Sequence, residues 1–358
     1  MRIAVDIMGG DKAPREIVAG CVDASRRLDE LPGVEQIVMV GREEAMREEL
    51  TRCKASLGGA LGFVPASETI DMDEAPAAAV RSKKDNSLTK GMELVKNGEA
   101  QAMVSAGNSG AFAAAALFTL GRIKGVHRPV IATVLPGRTG RPIVVLDAGA
   151  NADCKPEWLG QFAIMGAAYS EKILGAGEHP RVGLMSIGTE ECKGNEFTHA
   201  AFPHVRDSGV NFIGNMEGHD ILRGEIDVAV CDGFVGNIIL KTVESTAMSI
   251  AYWLKSAIKS SFACKIGALF MYGSFKKLKK TMDPEQYGGA ILLGVDGNCI
   301  VTHGSASRRT IFHAIKVAAE ANTSELAPTI AARIAEHHAR IEAQKAAAGS
   351  PAAPETAQ

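Results

Sequence analysis

Five short clusters hold the residue types that can bind an anion or stabilise a developing negative charge. Gly9-Gly10-Asp11 follows an apolar run that ends near Asp6. Glycine lets a backbone approach a ligand closely, and the start of a following helix attracts anions. The spacing is not that of a dinucleotide fingerprint, and a plain tight turn explains it equally well. Gly107-Asn108-Ser109-Gly110 precedes an alanine-rich helix. Its peptide N–H groups and two polar side chains can hold a phosphate or a thioester oxygen. Alternatively, Asn108 or Ser109 caps the helix. In Glu190-Glu191-Cys192-Lys193-Gly194-Asn195-Glu196, Lys193 offers a compact positive charge for phosphate. The bland alternative is a solvated loop with Asn195 as a helix cap. Asp232-Gly233-Phe234-Val235-Gly236-Asn237 opens a long helix, where Asn237 is placed to donate to an oxyanion. Lys241, one turn on, is either a phosphate ligand or a surface lysine. His303-Gly304-Ser305 follows a late strand, and His303 there can be an acid, a base or a structural residue.

An activated nucleophile is not evident. Cys192 has no histidine tied to it locally, which favours a passive thiol. Asp6, Asp147 and Asp232 end separate strands, but nothing near them has metal-ligand spacing. Neither a metal nor any other cofactor is expected.

The elements that position these clusters follow from the hydrophobic pattern. Residues 3–7, 36–40, 102–105, 130–134, 143–146, 182–187 and 228–231 are short, β-branched and apolar on both faces, as buried parallel strands are. Helical patterns separate most of them, for example at 14–28, 43–54 and 156–174, with Pro14 and Pro156 at first-turn positions. The alternation predicts a doubly wound α/β fold. The polar clusters then fall at the carboxyl ends of strands, where open α/β sheets bind ligands.

Residues 245–282 break the pattern: they carry seven lysines and no acid. Trp253, Leu254, Ile258, Phe262 and Phe270 lie among those lysines, with 254, 258 and 262 at helical spacing. The stretch is expected to be an inserted helical hairpin reversing near Gly267 or Gly273. Basic residues beside an aromatic-apolar stripe suit an anionic membrane surface. Docking of an acidic carrier protein or packing of a dimer would also use them. Strands at 290–293 and 300–301 and a helix from about Arg309 complete one large domain over 1–345, before an Ala/Pro-rich tail at 346–358 expected to be disordered.

Composition limits the classes. The 358 residues are 46% hydrophobic and 22% charged, with a formal net charge of −2. That balance argues against nucleic acid as the main partner. The seven cysteines are scattered without a CxxC pair, which fits a reducing cytoplasm. Neither a secretory signal nor a membrane-spanning run is expected.

Taken in order, several segments resemble the phosphate acyltransferases of phospholipid synthesis, the acyl-carrier-protein:phosphate transacylases. They are Met1-Arg2-Ile3-Ala4-Val5-Asp6-Ile7-Met8-Gly9-Gly10-Asp11, Ser105-Ala106-Gly107-Asn108-Ser109-Gly110-Ala111, Gly188-Thr189-Glu190, Lys193-Gly194-Asn195-Glu196, Asp232-Gly233-Phe234-Val235-Gly236-Asn237 and His303-Gly304-Ser305. The likeness covers roughly residues 1 to 320. Lys12, where such proteins often carry histidine, and the tail beyond Ala346 depart from it.

The resemblance implies a three-layer α/β/α fold with a mostly parallel sheet, like phosphotransacetylases and isocitrate/isopropylmalate dehydrogenases. It implies a cytosolic, membrane-associated homodimer that takes an acyl group from acyl carrier protein and passes acyl phosphate to a membrane glycerol-3-phosphate acyltransferase. With phosphate as nucleophile no catalytic triad is needed; the protein must hold the anion against the thioester carbonyl and stabilise the oxyanion. Lys193 and glycine-loop amides are then expected to bind phosphate. Asn237, with Asn108, would face the carbonyl oxygen, and His303 would donate a proton to the leaving thiolate. Asp6, Gly9, Gly10, Gly107, Asn108, Ser109, Gly110, Asn195, Asp232, Gly233 and Lys241 are the expected substrate-binding set. The alternatives are a short-chain phosphotransacetylase using coenzyme A and a non-catalytic membrane-surface scaffold.

Overall fold

The computed structural model describes residues 1–281 and 288–349. Eleven strands form one sheet: β1 Arg2–Asp6, β2 Gln36–Gly41, β3 Leu61–Pro65, β4 Ala102–Ser105, β5 Val130–Leu135, β6 Ile143–Leu146, β7 Arg181–Met185, β8 Asn211–Met216, β9 Val228–Val230, β10 Ala290–Leu293 and β11 Asn298–Val301. Their spatial order is β3-β2-β1-β4-β11-β10-β5-β6-β9-β7-β8.

Alternation along the strands builds layers on both faces. In β1, Ile3 and Val5 enter one buried cluster and Ala4 enters another. The first cluster lies under the helices α1 Arg15–Ser25, α6 Pro156–Lys172 and α11 Arg308–Thr323. The second lies under α3 Pro76–Ser82, α4 Ser87–Lys96 and α5 Ser109–Thr119. The fold is therefore three-layer α/β/α with a mostly parallel sheet. The remaining helices with described positions are α2 Glu43–Arg52, α7 Glu196–Arg206, α8 Gly233–Lys259, α9 Phe262–Phe270, α10 Tyr272–Thr281 and α12 Leu326–Gly349.

The sheet is not uniformly parallel. β10 runs antiparallel to β11 and β5, and β5 runs antiparallel to β6. The connections β10–β11 and β5–β6 are too short for a crossover helix, so only hairpins are possible. β5 is shared between two halves. Its Ile131 and Ala132 pair with Leu292 and Ile291, whereas Thr133 to Leu135 pair with Val145 to Ile143. Ile300 of β11, paired through Ile291 of β10, is level with Ala132, and β6 descends toward the same level from the opposite side, Val145 pairing with Thr133. The carboxyl ends of β1, β4 and β11 therefore face those of β6, β9 and β7.

The segment expected to be a hairpin consists of three helices. α8 continues unbroken from the Asp232 cluster through Lys259. Its breaks fall at Ser260-Ser261, where Ser261 caps α9 by accepting the Cys264 N–H at 3.1 Å, and at Met271. Gly267 lies inside α9 and Gly273 inside α10, so neither reverses the chain. Val235, Ile239, Leu240 and Val243 root α8 against the second half of the sheet. Beyond them the arm stands away from the body, and α9 buries no residue. Phe262 and Phe270 are 78% and 86% exposed; Trp253 and Leu254 are exposed and Ile258 is half-buried. Because the helix breaks between them, Leu254 and Ile258 share α8 while Phe262 opens α9. Met282 lies outside the described residues. So do residues 350–358 of the expected tail, whose first four residues are the end of α12.

Candidate active site

The first group of loops lies at the ends of β1, β4 and β11. Asp6 is 1% exposed and closes β1. Its Oδ2 accepts the Ser105 hydroxyl at 2.7 Å, its Oδ1 accepts the Met8 N–H at 2.9 Å, and Ser87 at the start of α4 bonds to it too. Burial pushes its carboxyl above the ordinary range, against the pull of those donors. Ser105 Oγ accepts the Gly107 N–H at 2.9 Å, which carries the order into the next loop. The two glycine loops touch. A Cβ at Gly9 would lie 2.7 Å from the Gly107 backbone, and one at Gly10 would lie 2.9 Å from the Gly304 carbonyl. The Asp11 N–H donates to that same carbonyl at 2.8 Å, and Lys12 Nζ donates to the Ser305 carbonyl at 2.5 Å. Hence Gly9, Gly10, Gly107 and the His303 loop form one surface.

Two expectations change here. Asp6 is buried and committed to hydrogen bonds, so in this structure it supports the loops from beneath. Asn108 is also fully engaged. Its Oδ1 caps α5 by accepting the Ala111 N–H at 3.1 Å, and its Nδ2 donates to the Met72 and Glu74 carbonyls, each at 3.1 Å. It clamps the 72–74 segment over the loop and has no N–H left for a carbonyl oxygen. Ser109 and Gly110, the exposed first residues of α5, remain available.

The second group lies at the ends of β6 and β9. Asp147 is fully buried and accepts five N–H donors: those of Ile131, Gly149, Ala150 and Asn151, and the Asn151 amide. Burial nonetheless pushes its carboxyl upward. This frame holds the Asp147–Asn151 turn, and the Gly233 N–H docks on the Asn151 carbonyl at 2.9 Å. Asp232 caps α8, its Oδ1 accepting the Val235 N–H at 2.8 Å. Asp232 and Gly233 thus set the helix start. Asn237 is exposed one turn later, and its amide makes no hydrogen bond among the described residues. Gly149, at φ +126°, faces it: a Cβ there would lie 3.6 Å from Asn237 Oδ1. The only sign in the sequence that the Asp147–Asn151 turn is the frame on which α8 starts is its place after a strand.

The third group follows β7. The Asn215 amide donates to the carbonyls of Glu190 (2.8 Å) and Lys193 (3.3 Å), and Ser186 Oγ donates to the latter at 3.2 Å. The backbone is held, while the Lys193 side chain is exposed and makes no ion pair among the described residues. Asn195 caps α7 in a capping box with Thr198. Lys241 pairs with Glu244 at 3.1 Å on the exposed side of α8. Asn195 and Lys241 therefore have local roles.

His303 is exposed. The Ser305 N–H donates to its Nδ1 at 3.2 Å, and Ser305 Oγ lies 2.8 Å from the same nitrogen. An imidazole held this way through Nδ1 presents Nε2 outward. Two thiols lie by the Asp147 and Asp232 turns. Burial pushes Cys154 up to about 12 and Cys231 well above the ordinary thiol range. Among the described residues no cluster of three or more His, Cys, Asp or Glu could hold a metal ion.

The arrangement can hold an anion between two facing sets of strand-end loops, with a free amide and a free ammonium on one side. A family model described as "Fatty acid synthesis protein" matches residues 1–328. A phosphate acyltransferase from Pelotomaculum thermopropionicum is 49% identical over 336 residues, covering 93% of this chain and 95% of that protein. One from Clostridium tetani is 47% identical, covering 88% and 92%. The structure of a phosphotransacetylase from Streptococcus pyogenes superposes with a TM-score of 0.61 at 19% identity, over 90% of this chain and 94% of that one, a likeness of fold. The chain belongs to the fatty acid synthesis protein family, among its phosphate acyltransferases.

Proposed function

We propose that this protein transfers a long-chain fatty acyl group from acyl carrier protein to inorganic phosphate, releasing acyl phosphate for phospholipid synthesis. The observation that carries the reading is that exposed Asn237 and Lys193 side chains, without hydrogen-bond or ion-pair partners among the described residues, follow strands whose carboxyl ends face those bearing the glycine loops. In this reading Lys193 and the amides around Gly9, Gly10 and Ser109 hold phosphate. Asn237 donates to the carbonyl oxygen as it becomes an oxyanion. Holding both reactants in attack geometry supplies most of the acceleration.

The projecting α8–α10 arm supports a fatty, membrane-delivered product. Its exposed Trp253, Leu254, Phe262 and Phe270 lie among lysines, the composition of an interfacial element. Among the described residues no helix is long and apolar enough to cross a membrane. We read the protein as a homodimer peripheral to an anionic membrane, handing product to a membrane glycerol-3-phosphate acyltransferase. A coenzyme A-dependent short-chain phosphotransacetylase is the competing reading, favoured by the fold likeness; it gives the arm no purpose. Incubation with phosphate and either palmitoyl carrier protein or acetyl coenzyme A separates the two. Acyl phosphate, trapped as hydroxamate, is expected from the former and not from the latter.

A further inference from the structure

Asn237 and Lys193 each stand beside exposed apolar side chains. Phe234 and Ile238, 63% and 50% exposed, lie in the first two turns of α8. Phe234 is three residues before Asn237 and four before Ile238, so it neighbours both on the helix surface. The face that roots α8 is a different one, formed by Val235, Ile239, Leu240 and Val243. Side chains on a helix lean toward its N-terminus, and α8 starts at the carboxyl end of β9. Phe234 and Ile238 therefore lean toward the strand-end surface that carries Asn237, away from the arm. On the neighbouring strand β7, Leu184 lies beside Val230 of β9, so Ile187 leaves the sheet level with Gly233, the first residue of α8. Ile187 is 77% exposed. The next residue, Gly188, lies against the stem of Lys193: a Cβ there would come within 2.7 Å of Lys193 Cγ. Exposed apolar residues scattered singly are ordinary, whereas a group at one surface marks a contact.

On the basis of the acyl transfer put forward above, we propose that Phe234, Ile238 and Ile187 form the seat of the acyl chain and set the preference for long chains. A carbonyl oxygen held by Asn237 leaves two further substituents on the same carbon, the sulfur and the first methylene of the chain. The methylenes gain nothing from Lys193 or the glycine-loop amides, and the apolar side chains beside Asn237 cover them. Each methylene taken out of water favours the bound state by about fourfold. The seat covers only the methylenes nearest the carbonyl. Preference therefore rises from short chains and levels off once the chain outgrows it.

The test compares kcat/KM at saturating phosphate for butyryl, octanoyl and palmitoyl carrier protein. Wild type is set against F234A/I238A, I187A and F234L/I238L, all at exposed positions. Wild type should gain about tenfold or more from butyryl to octanoyl, and less from octanoyl to palmitoyl. F234A/I238A should lose about tenfold more on octanoyl than on butyryl. I187A should show a smaller loss of the same kind, and F234L/I238L, which keeps the apolar bulk, should recover most of the deficit. A loss of equal size at every chain length would overturn the proposal, because the face would then serve the thiol-bearing arm common to all donors. A wild-type chain-length profile kept in both alanine variants would also overturn it. If F234A/I238A then sediments as a smaller species than wild type, the face covers a second copy of the chain. Wild type forming no acyl phosphate from any of these donors would instead defeat the acyl transfer on which the seat rests.

Discussion

The Ser105 hydroxyl donates to the buried Oδ2 of Asp6 across 2.7 Å, tying the end of β4 to the end of β1 beneath two touching glycine loops. Two neighbouring parallel strands would otherwise end in loops free to move independently. With Gly107 N–H on Ser105 Oγ, the carboxylate fixes a backbone surface that it does not itself expose.

Removing this tie should cost stability first. S105A leaves the Gly107 N–H without its acceptor and Asp6 without a donor, a loss of about 1–3 kcal/mol by denaturant unfolding. D6A, which strands donors from Ser105 and Met8 together, should cost more. A D6A protein as stable as wild type would mean that the carboxylate does not organise the loops.

Asn237 and Lys193 should separate by kinetic parameter. N237A should lower kcat by roughly 10²–10³-fold as an oxyanion donor is lost. K193A should act mainly on saturation by phosphate. Steady-state assays of folded variants decide this; near-normal kinetics in both would put the site elsewhere. Replacing Gly149 with valine should mimic N237A in part, because a side chain at φ +126° would strain the turn that faces Asn237.

Stability should fall on mild acidification. Burial holds His337 and His127 below their ordinary value of 6.5, with His338 adding repulsion to both. The unfolded chain therefore binds protons that the folded chain resists. Full stability is present above pH 6.5 and is lost as pH falls through the depressed folded values. His337 is 6% exposed, and its Nδ1 has no partner. Thermal melts from pH 7.5 to 5.5 should show the decline, and H337L should flatten it. A slope unchanged in H337L would assign the effect to other groups.

The arm should draw the protein to anionic lipid. Each lysine near such a surface contributes about 1 kcal/mol, and salt should weaken that part by screening. Phe262 and Phe270 should supply the salt-resistant part by shallow insertion. Because α9 buries nothing, F262E/F270E should leave the melting temperature in place while abolishing flotation with anionic vesicles at high salt. Wild type that ignores such vesicles at low and high salt would turn the arm over to carrier-protein docking or dimer packing.

What was legible in the sequence tracks how local the cause is. Residues 102–105, 143–146 and 290–293 form strands over the same bounds as expected, because burial on both faces leaves an uninterrupted apolar run. β3 and β8 were not anticipated. As edge strands they carry Gly62 and Pro65, or Asn211 and Gly214, and show only a weak apolar signal. The free side chains of Lys193 and Asn237 follow from loops written contiguously. The engagement of Asn108 does not, since its carbonyl partners at Met72 and Glu74 lie more than thirty residues away. The hold of Ser305 on His303 Nδ1 depends on the conformation of the loop, which no residue type specifies. The facing of the two loop sets depends on β5 serving two partners along its length, a feature of register that composition cannot encode.

Direct attack by phosphate, without an acyl-enzyme, is the central claim, and isotope exchange tests it most directly. Unlabelled carrier protein bearing a fatty acyl thioester is incubated with enzyme and labelled, unacylated carrier protein, first without phosphate and then with it. The account predicts no transfer of acyl group to the labelled carrier until phosphate is added, and acyl phosphate from then on. Rapid exchange in the absence of phosphate, with an acyl group trapped on the enzyme, would contradict it.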